Sequence, residues 1–100
     1  MEGFKADPAA LGKAAEVLKA LAHPVRLCLV AGLVRTGGCI VGEMQRCLGA
    51  PQATISQHLA RLKAAGIVRA TREGNQVRYE VSSNLARNVA ELVMAEGGVE

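Results

Sequence analysis

The sequence predicts a mainly α domain with one small β-hairpin, in the order ααααββα. Three observations predict it. Apolar residues recur at helical spacing in four segments before residue 66 and in one after residue 83. Between them the period changes from 3.6 to 2 in two six-residue runs separated by Glu73-Gly74-Asn75. Proline, glycine and small polar residues punctuate every junction, from Asp7-Pro8 and His23-Pro24 through Gly37-Gly38, Gly49-Ala50-Pro51 and Gly66 to Ser82-Ser83-Asn84.

Taken in order, residues 1–7 read as a flexible N-terminal arm. Asp7 is an N-cap and Pro8 stands at the first helical position, where its missing N–H costs nothing. Leu11, Ala14, Leu18 and Leu21 then form a narrow apolar stripe suited to a helix or subunit contact. Proline disfavours helix at the residue before it, so His23-Pro24 ends this helix, and His23 is expected to serve a hydrogen-bonded structural role. A second helix follows with Val25, Cys28, Leu29, Gly32 and Leu33 inward, stopping at Thr36-Gly37-Gly38. A third runs from about Ile40 to Leu48 with Val41, Met44 and Leu48 inward.

The fourth helix, opened by Pro51 and stopped by Gly66, buries Ile55, Leu59 and Leu62 at i, i+4 and i+7. Its other side carries Gln52, Thr54, Ser56, Gln57, His58 and Arg61. Amides, hydroxyls, imidazole and guanidinium can hydrogen-bond base edges or phosphates, so the segment reads either as a DNA reader or as an amphipathic helix rich in amides. Two helices joined by the short Gly49-Ala50 turn, the second carrying polar readers, have helix-turn-helix geometry. The strands Ile67–Arg72 and Gln76–Val81 follow, too small to be stable alone, with Arg72, Asn75 and Arg78 at the tip. The last helix sets Leu85, Val89, Leu92 and Val93 on one stripe, and with the first helix it is expected to form a homodimer interface. The domain thus spans residues 8–96, with 97–100 as a tail.

One hundred residues make one domain with a small core. Phe4 and Tyr79 are the only aromatic residues besides two histidines, so that core is aliphatic. The longest apolar run, Leu27 to Val34, is eight residues, against the ~20 that span a bilayer. The N-terminus lacks an apolar signal core, which points to the cytosol and away from a membrane. Net charge is +3, split as +2 over residues 1–50, +3 over 51–80 and −2 over 81–100. The basic excess falls on the helix-and-hairpin segment, as a nucleic-acid face requires.

LKALAHPVRLCLVAGL, PQATISQHLARLKAAGIV and REGNQVRYEV together resemble the ArsR/SmtB family of bacterial repressors. The resemblance covers about residues 11–95. It implies a dimeric winged helix-turn-helix protein that binds a palindromic operator in double-stranded DNA and leaves it when an inducer is sensed. It matches Gln52, Thr54, Ser56, Gln57 and His58 to the major-groove side of the reader, and Arg72, Asn75 and Arg78 to the wing.

The likeness fails at the sensor. Metal-sensing relatives use His and acidic residues on the last helix, where this chain has only Glu91 and Glu96, a poor zinc set. Arsenic-sensing relatives often carry Cys-x-Cys where this chain has Cys39-Ile40-Val41. No metal site is therefore expected, although a soft metalloid such as As(III) could use the thiols. Three cysteines argue against a disulfide framework. Cys39, at the opening of a helix, is expected to have its thiol activated by the helix dipole and to sense oxidant, reactive sulfur or a soft ion. Cys47 lies about 12 Å further along a straight helix, too far for a disulfide with Cys39. Cys28 can approach Cys39 or Cys47, and the ordinary reading of Cys28 and Cys47 is small core filler.

No phosphate loop, carboxylate pair or Ser/His/Asp arrangement supports an enzyme. The competing readings are a constitutive DNA binder without inducer and a winged module that binds protein. The polar and basic reader surface argues against the second.

Overall fold

A computed structural model describes residues 2–98. Five α-helices and three short strands run in the order α1 (Pro8–Leu21), α2 (Pro24–Thr36), β1 (Cys39–Ile40), α3 (Val41–Leu48), α4 (Gln52–Ala64), β2 (Val68–Glu73), β3 (Gln76–Val81) and α5 (Asn84–Val93). A π turn, Met94–Gly98, closes the described chain. It runs into the expected 97–100 tail, whose last two residues, like Met1 of the arm, lie outside the described residues.

The helix starts are set by side chains that satisfy orphan N–H groups. Asp7 Oδ1 accepts from the Ala9 N–H at 3.1 Å, and Ser83 Oγ accepts from the Ala86 N–H at 3.1 Å. His23 does the same for α2, its Nδ1 accepting from the Val25 N–H at 3.1 Å, which is the structural role its sequence position suggests. Gly49, at φ +65°, supplies the left-handed residue that turns α3 into α4. α4 ends in a Schellman motif, with the Ile67 N–H bonded to the Leu62 carbonyl and the Gly66 N–H to the Lys63 carbonyl.

The hairpin is larger than the sequence predicts. β1 joins it on the β3 side, giving an antiparallel sheet in the order β1-β3-β2 with Cys39 opposite Tyr79 and Ile40 opposite Arg78. A two-residue strand leaves no legible alternation in the sequence; the pairing with β3 reveals it, and Gly38 beside it comes close to β3. A Cβ at Gly38 would stand 3.0 Å from the Tyr79 carbonyl oxygen.

The core is aliphatic. Val30, Leu33, Ile55, Leu59, Leu62 and Ile67 are its largest fully buried side chains, each contributing roughly 1.5–3 kcal/mol. α2 lies at the centre, against α1, α4, α5 and β3. Its inward face differs from the predicted one: Leu29, Val30, Ala31 and Leu33 are buried, whereas Cys28 and Gly32 face outward. Of the terminal helices, α1 buries Ala20 and Leu21 at its C-terminal end. α5 turns Ala86 and Ala90 into the core and leaves Leu85 and Leu92 exposed, and α1 leaves Leu11 and Leu18 exposed. Among the described residues no single helix is long and apolar enough to cross a membrane.

Candidate nucleic-acid interface

The fourth helix is held from beneath and open above. Ile55, Leu59 and Leu62 are at most 1% exposed, and α3, α2 and β2 pack against their side of the helix. The tight Gly49 turn ties its N-terminus to α3. On the open side Gln52, Ser56 and Gln57 are exposed, and Thr54 is half-buried. Four short donor and acceptor side chains thus occupy the first two turns of a rigidly seated helix, which is the part of a reader that enters a major groove.

Beside it stands the hairpin. β2 and β3 pair from Val68 opposite Val81 to Glu73 opposite Gln76, so Gly74-Asn75 forms a two-residue loop. Arg72 and Asn75 are exposed at this end. Arg69 and Glu80, paired across the strands, form an ion pair with Nε 2.7 Å from Oε1. That removes Arg69 from the free positive charge of the wing at low cost to the sheet.

Two predicted contacts, Arg78 and His58, sit elsewhere than expected, and a third, Arg61, borders a groove. Arg78 is drawn back along β3, where its Nη2 donates to the Gly38 carbonyl at 3.1 Å, so it braces β1 instead of standing at the tip. His58 is half-buried, its ring 4.8 Å from that of His23 and tilted 52° to it. Burial, then the neighbouring His23 and Arg26, push its pKa below the usual imidazole value. Arg61, a turn further on, lines a broad groove between the end of α4 and α1. For Arg78 and His58 the strand and helix periods are as read, but packing of a neighbouring element claims the side chain; Arg61 stays exposed.

The cysteines converge. Cys28, Gly32 and Thr36, at i, i+4 and i+8, line one wall of a cavity of about 170 Å³. Glu43 and Cys47 on α3 line the other, Cys39 on β1 stands at the end, and Leu29, Leu33, Met44 and Leu48 make the floor. Cys28 and Cys47 are exposed, not core filler, because they flank this groove instead of the interior. Cys39 is half-buried and lies on β1, ahead of the first helical residue of α3. Burial above all, and the Glu43 carboxylate next, push its thiol pKa up; a Thr36 hydrogen bond and Arg78 oppose them without winning. Burial and Glu43 thus act against the expected helix-dipole activation. Glu43 serves α3 as well, Oε1 accepting from the Ile40 N–H at 3.3 Å. Sequence reasoning missed Gly32, Thr36 and Glu43. The i+4 series Cys28, Gly32 and Thr36 was the available signal, although the predicted inward stripe of α2 takes in its first two members.

A family model described as a helix-turn-helix domain matches residues 21–70, from the end of α1 into β2. The HTH-type transcriptional repressor SmtB of Mycobacterium tuberculosis is 39% identical over 88 residues, covering 88% of this chain and 64% of the relative. The biofilm growth-associated repressor of Agrobacterium fabrum is 41% identical over 91 residues, covering 88% of this chain and 77% of that one. The chain belongs to the ArsR/SmtB family. HlyU from Vibrio cholerae superposes with a TM-score of 0.83 at 32% identity, covering 89% of this chain and 96% of that one.

As an ArsR/SmtB domain the chain is a winged helix-turn-helix, in which α3 and α4 are the two helices and β2–β3 the wing. Its relatives are transcriptional regulators and not enzymes. The chain spans 64% of the length of the SmtB repressor it matches. Glu91 and Glu96 on the terminal helical segment are exposed, and among the described residues no group of three His, Cys, Asp or Glu side chains could hold a metal ion.

Proposed function

We propose that the chain acts in the cytoplasm as a homodimeric transcriptional repressor that binds a palindromic operator in double-stranded DNA. The observation that carries this reading is the open polar face of α4. Gln52, Ser56 and Gln57 stand exposed on a helix whose opposite face is fully buried. Bidentate amides discriminate adenine, while Arg72 and Asn75 on the adjoining wing supply phosphate or minor-groove contacts. A second copy doubles the reader, and two-fold symmetry then demands an inverted repeat. The exposed Leu11, Leu18, Leu85 and Leu92 on α1 and α5 are the natural surface for that second copy.

Release by an inducer acting on the cysteine thiols, through oxidant, reactive sulfur or a soft metalloid such as As(III), completes the reading. Cys28, Cys39 and Cys47 share one groove, and Cys39 pairs with Tyr79 of the wing strand. A change at the thiols is therefore one strand away from the wing.

Selection of bound sequences from a random duplex library tests the core of the proposal. The expected product is an inverted repeat with half-sites about one helical turn apart. Failure to enrich any sequence, with no duplex binding even at low salt, would overturn it.

A further inference from the structure

We propose that the thiol groove between α2 and α3 is a binding and modification site for a compact apolar carbon electrophile, a one-ring enone, which alkylates Cys39. Size is the first argument: the cavity measures about 170 Å³, and an apolar cavity of about 150 Å³ accommodates a benzene ring. Lining is the second. Apart from Thr36 and Glu43, the walls are aliphatic carbon and sulfur, so an apolar molecule gains from burial there and a polar oxidant does not. The thiols are the third: Cys28, Cys39 and Cys47 all line this one cavity.

The chemistry follows from the groups present. Burial, then the Glu43 carboxylate, disfavour the Cys39 thiolate, which makes the thiol sluggish toward dilute polar reagents. A bound enone is held against it, and proximity replaces the missing thiolate population. The Cys39 proton passes to the Glu43 carboxylate as Sγ bonds to the enone β-carbon. The C=C π pair shifts to an enolate, and the proton returns at the α-carbon. The result is a net addition with no leaving group and no redox partner. Gly38 and Arg78 sit directly beside the modified residue, the Gly38 carbonyl accepting from Arg78 Nη2 at 3.1 Å, so the added ring presses on the junction of β1 with the wing. That last consequence alone rests on the repressor reading.

The test is adduct mapping by mass spectrometry on the full chain with benzylideneacetone, and with acrylamide as a polar electrophile of the same reaction class. Rates are normalised to glutathione. The expected result is a single Cys39 adduct whose rate saturates with benzylideneacetone, at least ten times faster than acrylamide after normalisation, and is slowed by the unreactive 4-phenylbutan-2-one. Gly32→Leu should abolish saturation. A Cβ there meets no atom within 4 Å and Gly32 lines the groove, so the added side chain enters the groove; an unchanged circular dichroism spectrum checks that the fold is kept. A rate linear in concentration, equal normalised rates, adducts on Cys28 or Cys47 alone, or indifference to Gly32→Leu would each overturn the site. Operator binding is read separately: an adduct that forms yet leaves DNA bound overturns the coupling to the wing, while absent DNA binding by the unmodified protein counts against the repressor reading.

Discussion

The imidazoles of His23 and His58 lie 4.8 Å apart and join the start of α2 to the middle of the reader helix. His23 already accepts a hydrogen bond from the Val25 N–H, and Arg26 of the same turn adds positive charge beside His58. The pair favours a neutral His58, and the sign of the pH effect follows. Between the depressed folded pKa and the ordinary value of about 6.5, the unfolded chain binds a proton that the folded chain refuses, so stability rises with pH through that window and is lost below it. The melting temperature should fall as pH drops from about 7.5 to about 5.5, and His58→Gln should flatten that slope. Parallel pH profiles for the two proteins would contradict the assignment.

Reader and wing should fail differently. Gln57→Ala is expected to cost about 1–3 kcal/mol of operator affinity and to relax preference at one base pair. Arg72→Ala should weaken all duplexes alike and reduce the salt slope by about one ion. Fluorescence anisotropy on matched and mismatched duplexes across a salt series separates the two signatures.

The apolar residues left outside the monomer core give a sharp association test. Leu92 is 67% exposed and Leu11 is 55% exposed. Leu92→Asp should shift sedimentation from dimer to monomer and reduce operator binding. Its helical circular dichroism should remain, because no core contact is removed.

Two glycines predict opposite outcomes. Gly38 holds φ +125°, and a methyl group added there would stand 3.0–3.3 Å from the Tyr79 carbonyl and the Arg78 guanidinium, so Gly38→Ala strains the β1–β3 junction. A cost of about 1–3 kcal/mol in denaturant unfolding is expected. Gly32, helical and unobstructed, should become about 0.5–1 kcal/mol more stable as alanine.

Most of the fold was legible because helical and strand periods are local. Ile55, Leu59 and Leu62 announce the buried side of α4, and the reader face follows as its complement. The caps at Asp7 and Ser83 and the stop at Gly66 needed no knowledge of partners. The terminal helices were read correctly as elements and incompletely as faces: Ala86 and Ala90, not Leu92, meet the core, since close packing of α5 on α2 admits only small side chains there.

The sequence by itself determined the five helices, the β2–β3 hairpin, the buried and open faces of α4 and the family, because the elements depend on residues near one another in the chain and the family on motifs built from them. Only the tertiary structure decided where the exceptional side chains go. It drew Arg78 back to Gly38, set His58 against His23, added β1 to the wing and turned Cys28 out of the core to share a groove with Cys39 and Cys47. It also set burial against the expected activation of Cys39, for a local helix dipole favours thiolate whereas burial disfavours it. A residue's period tells which way it faces from its own element; what it meets there depends on segments tens of residues away, and their approach is set by packing of the whole core.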